Sequence, residues 1–187
     1  MRHCFHSPTK VVEIDGIQYY CADKGGVAEF KGDAVLNLSG RQHIPQFDIP
    51  ELDAEVEHQY EELLFAWPDF GVPHIKPTFW AALHRFVKAQ GWSSVCIHCE
   101  GGHGRTGTAI VALMMSVGSM DLVDAVGEMR RLYCRYAIET PEQIDYLREL
   151  YFWLSGDKIE DEILSGIEIA VNEKEAEDRA KMCGGSK

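Results

Sequence analysis

The segment from Val95 to Met115 constrains this chain most. A short apolar run, Val95 to Ile97, leads into a loop carrying Gly101, Gly102, Gly104 and Gly107, and an unbroken apolar run from Thr108 to Met115 follows. The pattern predicts a strand, a loop and a helix in succession. Glycines let consecutive backbone N–H groups turn onto one centre, and the helix behind them adds the positive end of its dipole. Such a loop suits an anion of phosphate size.

Two side chains add chemistry to it. Arg105 stands six residues after Cys99, so one turn of loop brings its planar guanidinium beside the thiol as a fork for two phosphate oxygens. The same field favours the thiolate form of Cys99, and a thiolate beside a phosphate clamp is an equipped nucleophile. The candidate phosphate-binding residues are Glu100, Gly101, Gly102, His103, Gly104 and Arg105. A Walker-type nucleotide loop is excluded, because no Lys-Ser or Lys-Thr pair closes the glycines. Zinc binding by Cys96, His98, Cys99 and His103 fits poorly, since neighbouring strand residues point to opposite faces and no second ligand pair follows. His3, Cys4 and His6 lack a fourth ligand and read as a frayed terminus. No metal and no cofactor is expected.

The stretch HCEGGHGRTG, His98 to Gly107, resembles the signature loop of the cysteine-dependent protein tyrosine phosphatase superfamily, His-Cys-x-x-Gly-x-x-Arg-Ser/Thr. The resemblance implies that Cys99 is the nucleophile and Arg105 the phosphate clamp. It further implies that His98 orients and tunes the thiolate, and that the Thr106 hydroxyl steadies it as a leaving group.

Upstream, Phe65 to Pro73 reads FAWPDFGVP, in which two prolines and a glycine frame Asp69. A loop with so few rotatable hinges can swing as a unit and exclude water when closed. Cleavage of a phosphate ester needs a proton for the departing oxygen, and a carboxylic acid on a closing loop can supply it. Asp69 is the candidate acid, and the segment resembles the mobile acid loop of the same superfamily. A third stretch, Glu139-Thr140-Pro141-Glu142-Gln143, resembles the family's Gln-Thr-x-x-Gln loop, with Glu139 in place of the first glutamine. The resemblance implies that Gln143 positions the hydrolytic water. Thr140 as N-cap, Pro141 at the first helical position and Gln143 three residues on also form a capping box, and both readings can hold.

Elsewhere, Val11 to Tyr20 alternates around Asp15-Gly16, a hairpin signal, and Ala34 to Leu38 reads as a buried strand. Lys76-Pro77 opens a helix with Phe79, Leu83, Phe86 and Val87 on one side, stopped by Gly91. Asp121 caps another, with Leu122, Val126, Met129 and Leu132 inward and Arg130, Arg131 and Arg135 at its end. The acidic stretch Glu51 to Glu62 is expected to face water. Cys96, three residues before Cys99, is read as a buried structural thiol rather than a redox partner.

A net charge of −12 without a basic cluster argues against nucleic acid and anionic membranes as partners. Six cysteines in a chain without an apolar leader, and an apolar run too short to span a bilayer, predict reduced thiols and a cytoplasmic monomer. The expected fold is α/β, a mixed central sheet flanked by helices on both faces, with the phosphate loop between a strand and a helix. Residues 1–155 would form the catalytic domain, and 156–187 an acidic amphipathic helix, with Ile159, Ile163, Ile167 and Val171 as its stripe, and a disordered end. The expected function is hydrolysis of phosphotyrosine, with phosphoserine and phosphothreonine as further substrates, through a cysteinyl-phosphate. The alternatives are a phosphoinositide or inositol phosphate phosphatase, which calls for lysines clustered around the loop, and a phosphate-binding adaptor without turnover, which needs neither thiol nor acid.

Overall fold

The computed structural model describes residues 4–39, 60–65 and 67–156. The chain divides into the units Met1–Leu154 and Ser155–Lys187, and the fold described belongs to the first. The acidic stretch before Tyr60 and the C-terminal stripe from Ile159 to Val171 lie outside the described residues.

Among the described residues the sheet has five strands: β1 (Thr9–Ile14), β2 (Ile17–Ala22), β3 (Ala34–Asn37), β4 (Glu61–Leu64) and β5 (Ser94–His98). Their order is β1-β2-β5-β3-β4. β1 and β2 form the expected antiparallel hairpin, turning at Asp15 (φ 52°) and Gly16 (φ 81°). Both angles belong to the primed two-residue turn that matches the twist of the strands. The other pairings, β2 with β5, β5 with β3 and β3 with β4, are parallel, so the sheet is mixed as expected.

Four α-helices accompany it: α1 (Phe79–Ala89), α2 (Gly104–Val117), α3 (Leu122–Leu132) and α4 (Pro141–Ser155). Every residue of α2 from Gly104 to Met115 is buried, as the apolar run from Ala109 to Met115 requires, and Arg105, Thr106 and Thr108 on its first turns are buried with it. This helix packs against β5, β2 and β1, with α1 and α3 against it in turn. On β5, alternation turns Cys96 away from its neighbours Val95 and Ile97, and Cys96 joins Ala22 and Val35 under Val27 and Phe30 from the 3-10 turn Gly26–Glu29.

α1 departs from its expected face. Its buried residues are Trp80, His84 and Val87, whereas Phe86 is 44% exposed and rests edge-on against Trp92. The helix is turned so that the larger Trp80 enters the aromatic cluster of Phe65, Trp67 and Phe79, where its indole N–H donates to Tyr146 Oη at 2.7 Å. His84 is a satisfied core polar group, its Nδ1 2.7 Å from Tyr19 Oη, and His74 is exposed. α3 is capped by Asp121 as expected and buries Leu122, Ala125 and Met129.

Parallel register puts Ala22, Asn37 and His98 level at the carboxyl ends of β2, β3 and β5. That edge is where an open parallel sheet presents its binding crevice, and Cys99 is the next residue. At the opposite end, Asp33 accepts from the backbone N–H and hydroxyl of both Ser93 and Ser94, at 2.8 to 3.0 Å, and so ties the start of β3 to β5. Although partial burial works against it, these hydrogen bonds hold the Asp33 carboxyl below its usual range. A lowered carboxyl pKa stabilises the fold above the unfolded value, and the contribution fades as pH falls through the folded one. Asp33→Asn is therefore expected to cost about 1 kcal/mol at neutral pH. In urea titrations the gap to wild type should be full above about pH 4 and shrink below it; a gap independent of pH would contradict the charged role.

Candidate active site

His98 ends β5 and is 4% exposed. Its Nδ1 lies 3.2 Å from the Cys99 carbonyl oxygen. A carbonyl only accepts, so Nδ1 carries the proton. Burial lowers the His98 pKa against the opposing pull of that hydrogen bond, which keeps the ring neutral near pH 7. Cys99 is 3% exposed, a buried free thiol.

From Cys99 the chain turns through Glu100 and Gly101, both exposed, and Glu100 is tethered by Lys24, whose N–H donates to its carbonyl and whose ammonium pairs with its carboxylate. Gly102 has φ +72° and packs so closely that a Cβ there would stand 2.6 Å from Tyr133 Oη and 2.9 Å from the Ala22 carbonyl. Only glycine fits. α2 then starts at Gly104, carrying Arg105 and Thr106 on its first turn.

The Arg105 guanidinium is 3% exposed and joins three stretches of chain. Nη1 donates to the Leu38 carbonyl beyond β3 and to the Trp67 carbonyl in the acid loop, each at 3.3 Å. Nη2 pairs with Asp69 Oδ1 at 2.9 Å. Nε is buried without a hydrogen-bond partner among the described residues, as is the Thr106 hydroxyl. A buried guanidinium with one edge unmatched and the other on a carboxylate is a seat for a tetrahedral anion, with Asp69 Oδ1 standing where one anion oxygen would go.

The acid loop is closed over this seat. Trp67 is 4% exposed, edge-on to Phe65 and Trp80, and fixes one side of the loop. The turn runs Pro68 to Gly71, closed by Gly71 N–H to the Pro68 carbonyl at 3.1 Å, with Phe70 at φ 58°. Its far side is held by α4: the Thr140 hydroxyl donates to the Phe70 carbonyl at 3.1 Å, and Gln143 Nε2 to the Gly71 carbonyl at 3.3 Å.

Gln143 also makes the capping box. Its N–H donates to Thr140 Oγ1 at 3.2 Å, and its Oε1 accepts from Glu139 N–H at 2.8 Å. The residue is fully buried, and it joins the first turn of α4 to the acid loop. Glu139, to which sequence reasoning assigned no task, reaches the phosphate loop directly, its Oε2 accepting from Gly104 N–H at 2.9 Å. One of the expected phosphate-binding amides is thus engaged by a carboxylate, and an incoming phosphate must compete for it. The signal available in sequence was the acid at a position where the resembled loop has glutamine. The arginines in the last turn of α3 and just past it are engaged elsewhere: Arg130 with the Ala137 carbonyl, Arg131 with Glu128 and Arg135 with Tyr136. Cys96 is buried, and burial raises its pKa to about 12, as befits a structural thiol.

Close packing at Gly104 yields a test. A Cβ there would lie 2.6 Å from Glu139 Oε2 and 2.8 Å from Gln143 Nε2. Gly104→Ala is expected to displace the loop against both side chains and lower kcat/KM about a hundredfold. Gly104→Ala combined with Glu139→Ala should recover part of the loss, and strictly additive effects in that double-mutant cycle would contradict the packing account.

A family model described as "Protein-tyrosine phosphatase" matches residues 15–152. Receptor-type tyrosine-protein phosphatase C of Mus musculus is 28% identical over 134 residues, 63% of this chain and 10% of that protein. An uncharacterised protein of Methanocaldococcus jannaschii is 30% identical over 83 residues, 43% of this chain and 53% of that one. The chain thus spans about a tenth of the length of the receptor-type relatives. Among solved structures, Tk-PTP in its active form superposes with a TM-score of 0.57 at 27% identity, covering 78% of this chain and 96% of that chain. Human DUSP28 superposes at 0.56 over 79% of this chain and 95% of that one, and at 16% identity it speaks for the fold alone. No helix among the described residues is long and apolar enough to cross a membrane. The family match runs from the hairpin turn at Asp15 to Phe152 in α4 and takes in the signature loop, the acid loop and strands β2 to β5: the chain belongs to the protein-tyrosine phosphatase family.

Proposed function

We propose that this chain hydrolyses phosphotyrosine in proteins by a two-step displacement on Cys99. The observation that carries the reading is the contact of Arg105 with both Trp67 and Asp69, which sets the acid loop against the anion seat. In the first step the Cys99 thiolate forms a bond to phosphorus as the phosphorus–oxygen bond to the substrate breaks. Arg105 and the loop amides hold the non-bridging oxygens, and Asp69 gives its proton to the departing phenolic oxygen. An arriving dianion takes over Arg105 Nη2, releasing Asp69 for that task. In the second step a water bonds to phosphorus, the sulfur–phosphorus bond breaks, and Asp69 takes the water's proton. The Thr106 hydroxyl, buried and unpartnered among the described residues, is the donor for the departing thiolate. His98 orients the thiol through its backbone, and Gln143 acts as a positioning residue that joins α4 to the acid loop.

Two features support tyrosine over shorter side chains. The nucleophile is buried, 3% exposed, which favours an ester whose ring carries the phosphate far from the peptide backbone. Phe70, beside the acid and 47% exposed, offers that ring an aromatic neighbour.

Steady-state hydrolysis of a phosphotyrosine peptide and of para-nitrophenyl phosphate tests the assignment. Cys99→Ser is expected to abolish both. Asp69→Asn should lower kcat about 10² to 10⁴ fold on the peptide and less on the nitrophenyl ester, whose leaving group needs little protonation. Equal losses on the two substrates would remove Asp69 as the acid. Faster turnover of an inositol phosphate than of the peptide would overturn the substrate class.

A further inference from the structure

Away from the reacting atoms, three distant stretches of chain bring Cys4, His6, His103 and Cys134 together. One ligand atom from each lies within 4.8 Å of all the others. The two imidazoles face each other, Nε2 to Nε2 at 2.7 Å. Cys134, just past α3, is buried, and Cys4 is half-buried. We propose that these four side chains form a tetrahedral site for a zinc-class divalent ion, which fastens the N-terminal segment and the end of α3 to the phosphate loop through His103.

The donor set selects the metal. Two thiolates and two imidazoles suit zinc or cobalt and disfavour magnesium or calcium, which demand oxygen. A tetrahedral zinc ion has ligand edges of about 3.3 Å between nitrogens and about 3.8 Å between sulfurs, given its bond lengths. The imidazoles need part by only about half an ångström to admit it, and the remaining atoms are already within closing distance. With four protein ligands no position is left for water or substrate, so the site is structural and takes no step in the reaction.

The surroundings hold the ligands in place. The backbone of His6 is locked twice to Asp23, its N–H donating to Asp23 Oδ2 at 2.7 Å and its carbonyl accepting from Asp23 N–H at 3.0 Å. Its ring lies between Tyr133 and His103, with centroids at 4.6 and 4.7 Å. His103 turns its other nitrogen, Nδ1, toward Glu139 Oε1 at 3.7 Å. A carboxylate behind a histidine is the usual outer partner of a metal-bound imidazole, and it leaves Nε2 as the ligand. Glu139 would then serve two neighbours at once, the Gly104 amide and the metal-bound ring. Binding converts the two thiols to thiolates and releases their protons to solvent. In sequence the N-terminal pair lacks partners because they follow about a hundred residues later, without zinc-finger spacing.

The test uses the full chain, stripped with chelator under reducing conditions and titrated with cobalt, then zinc. One equivalent of cobalt should give a thiolate-to-cobalt charge-transfer band with the intense ligand-field bands of tetrahedral cobalt, and zinc should bleach both. Cys99→Ser should retain the spectrum in full. Cys4→Ser and Cys134→Ser should each lose about half of the charge-transfer intensity and weaken binding at least about tenfold, and Glu139→Gln about tenfold with the spectrum unchanged. Cys134 is buried, so circular dichroism accompanies its variant, and the half-buried Cys4 gives a second reading. The proposal is overturned if wild type shows no charge-transfer band with stoichiometric cobalt. It is overturned equally if the band survives in Cys4→Ser and Cys134→Ser but vanishes in Cys99→Ser, which would put the metal on the nucleophile.

Discussion

The site depends on the burial of one charge. Arg105 is almost without solvent exposure, yet its guanidinium is never left to apolar surroundings: it meets two carbonyls, from Leu38 and Trp67, and the Asp69 carboxylate. A buried cation is costly unless its donors are matched. Here the matches come from just beyond β3 and from the loop Trp67 to Asp69, so satisfying the arginine on α2 also brings these three pieces of chain together. The unmatched Nε is the exception.

The loop from Trp67 to Gly71 is held at its two ends by contacts of different kinds. Its Trp67 side chain is part of the aromatic core with Phe65 and Trp80, whereas Asp69 is 61% exposed. Hydrogen bonds from Thr140 and Gln143 reach the loop only through its carbonyls. Contacts of this kind are worth about 1 kcal/mol each and exchange readily with water. The loop is thus anchored at its tryptophan and braced from the first turn of α4 by two hydrogen bonds.

Local motifs were legible in the sequence; long-range pairing was not. Asp15-Gly16 announced the hairpin, the glycines after Cys99 announced the tight loop between β5 and α2, and Asp121 announced the start of α3, because each rests on backbone requirements a few residues long. The inward face of α1 was misjudged, since Phe86 and Trp80 are both large and apolar and only the partner cluster decides between them. Glu139 reached Gly104 across 35 residues, and His6 met His103 across 97, through a topology that periodicity does not encode. Gln143 could be read both as cap and as catalytic aid; its bonds to Glu139, Thr140 and Gly71 make the capping and bracing plain.

The proposed mechanism requires phosphorus to pass through Cys99. Rapid acid quench during turnover of a phosphotyrosine peptide, followed by mass spectrometry of the proteolysed chain, reads that step directly. A phosphoryl group on the peptide that contains Cys99, appearing within the first turnover and decaying as substrate is exhausted, is the predicted result. Turnover at full rate with the phosphoryl group on another residue, or on none, would contradict it.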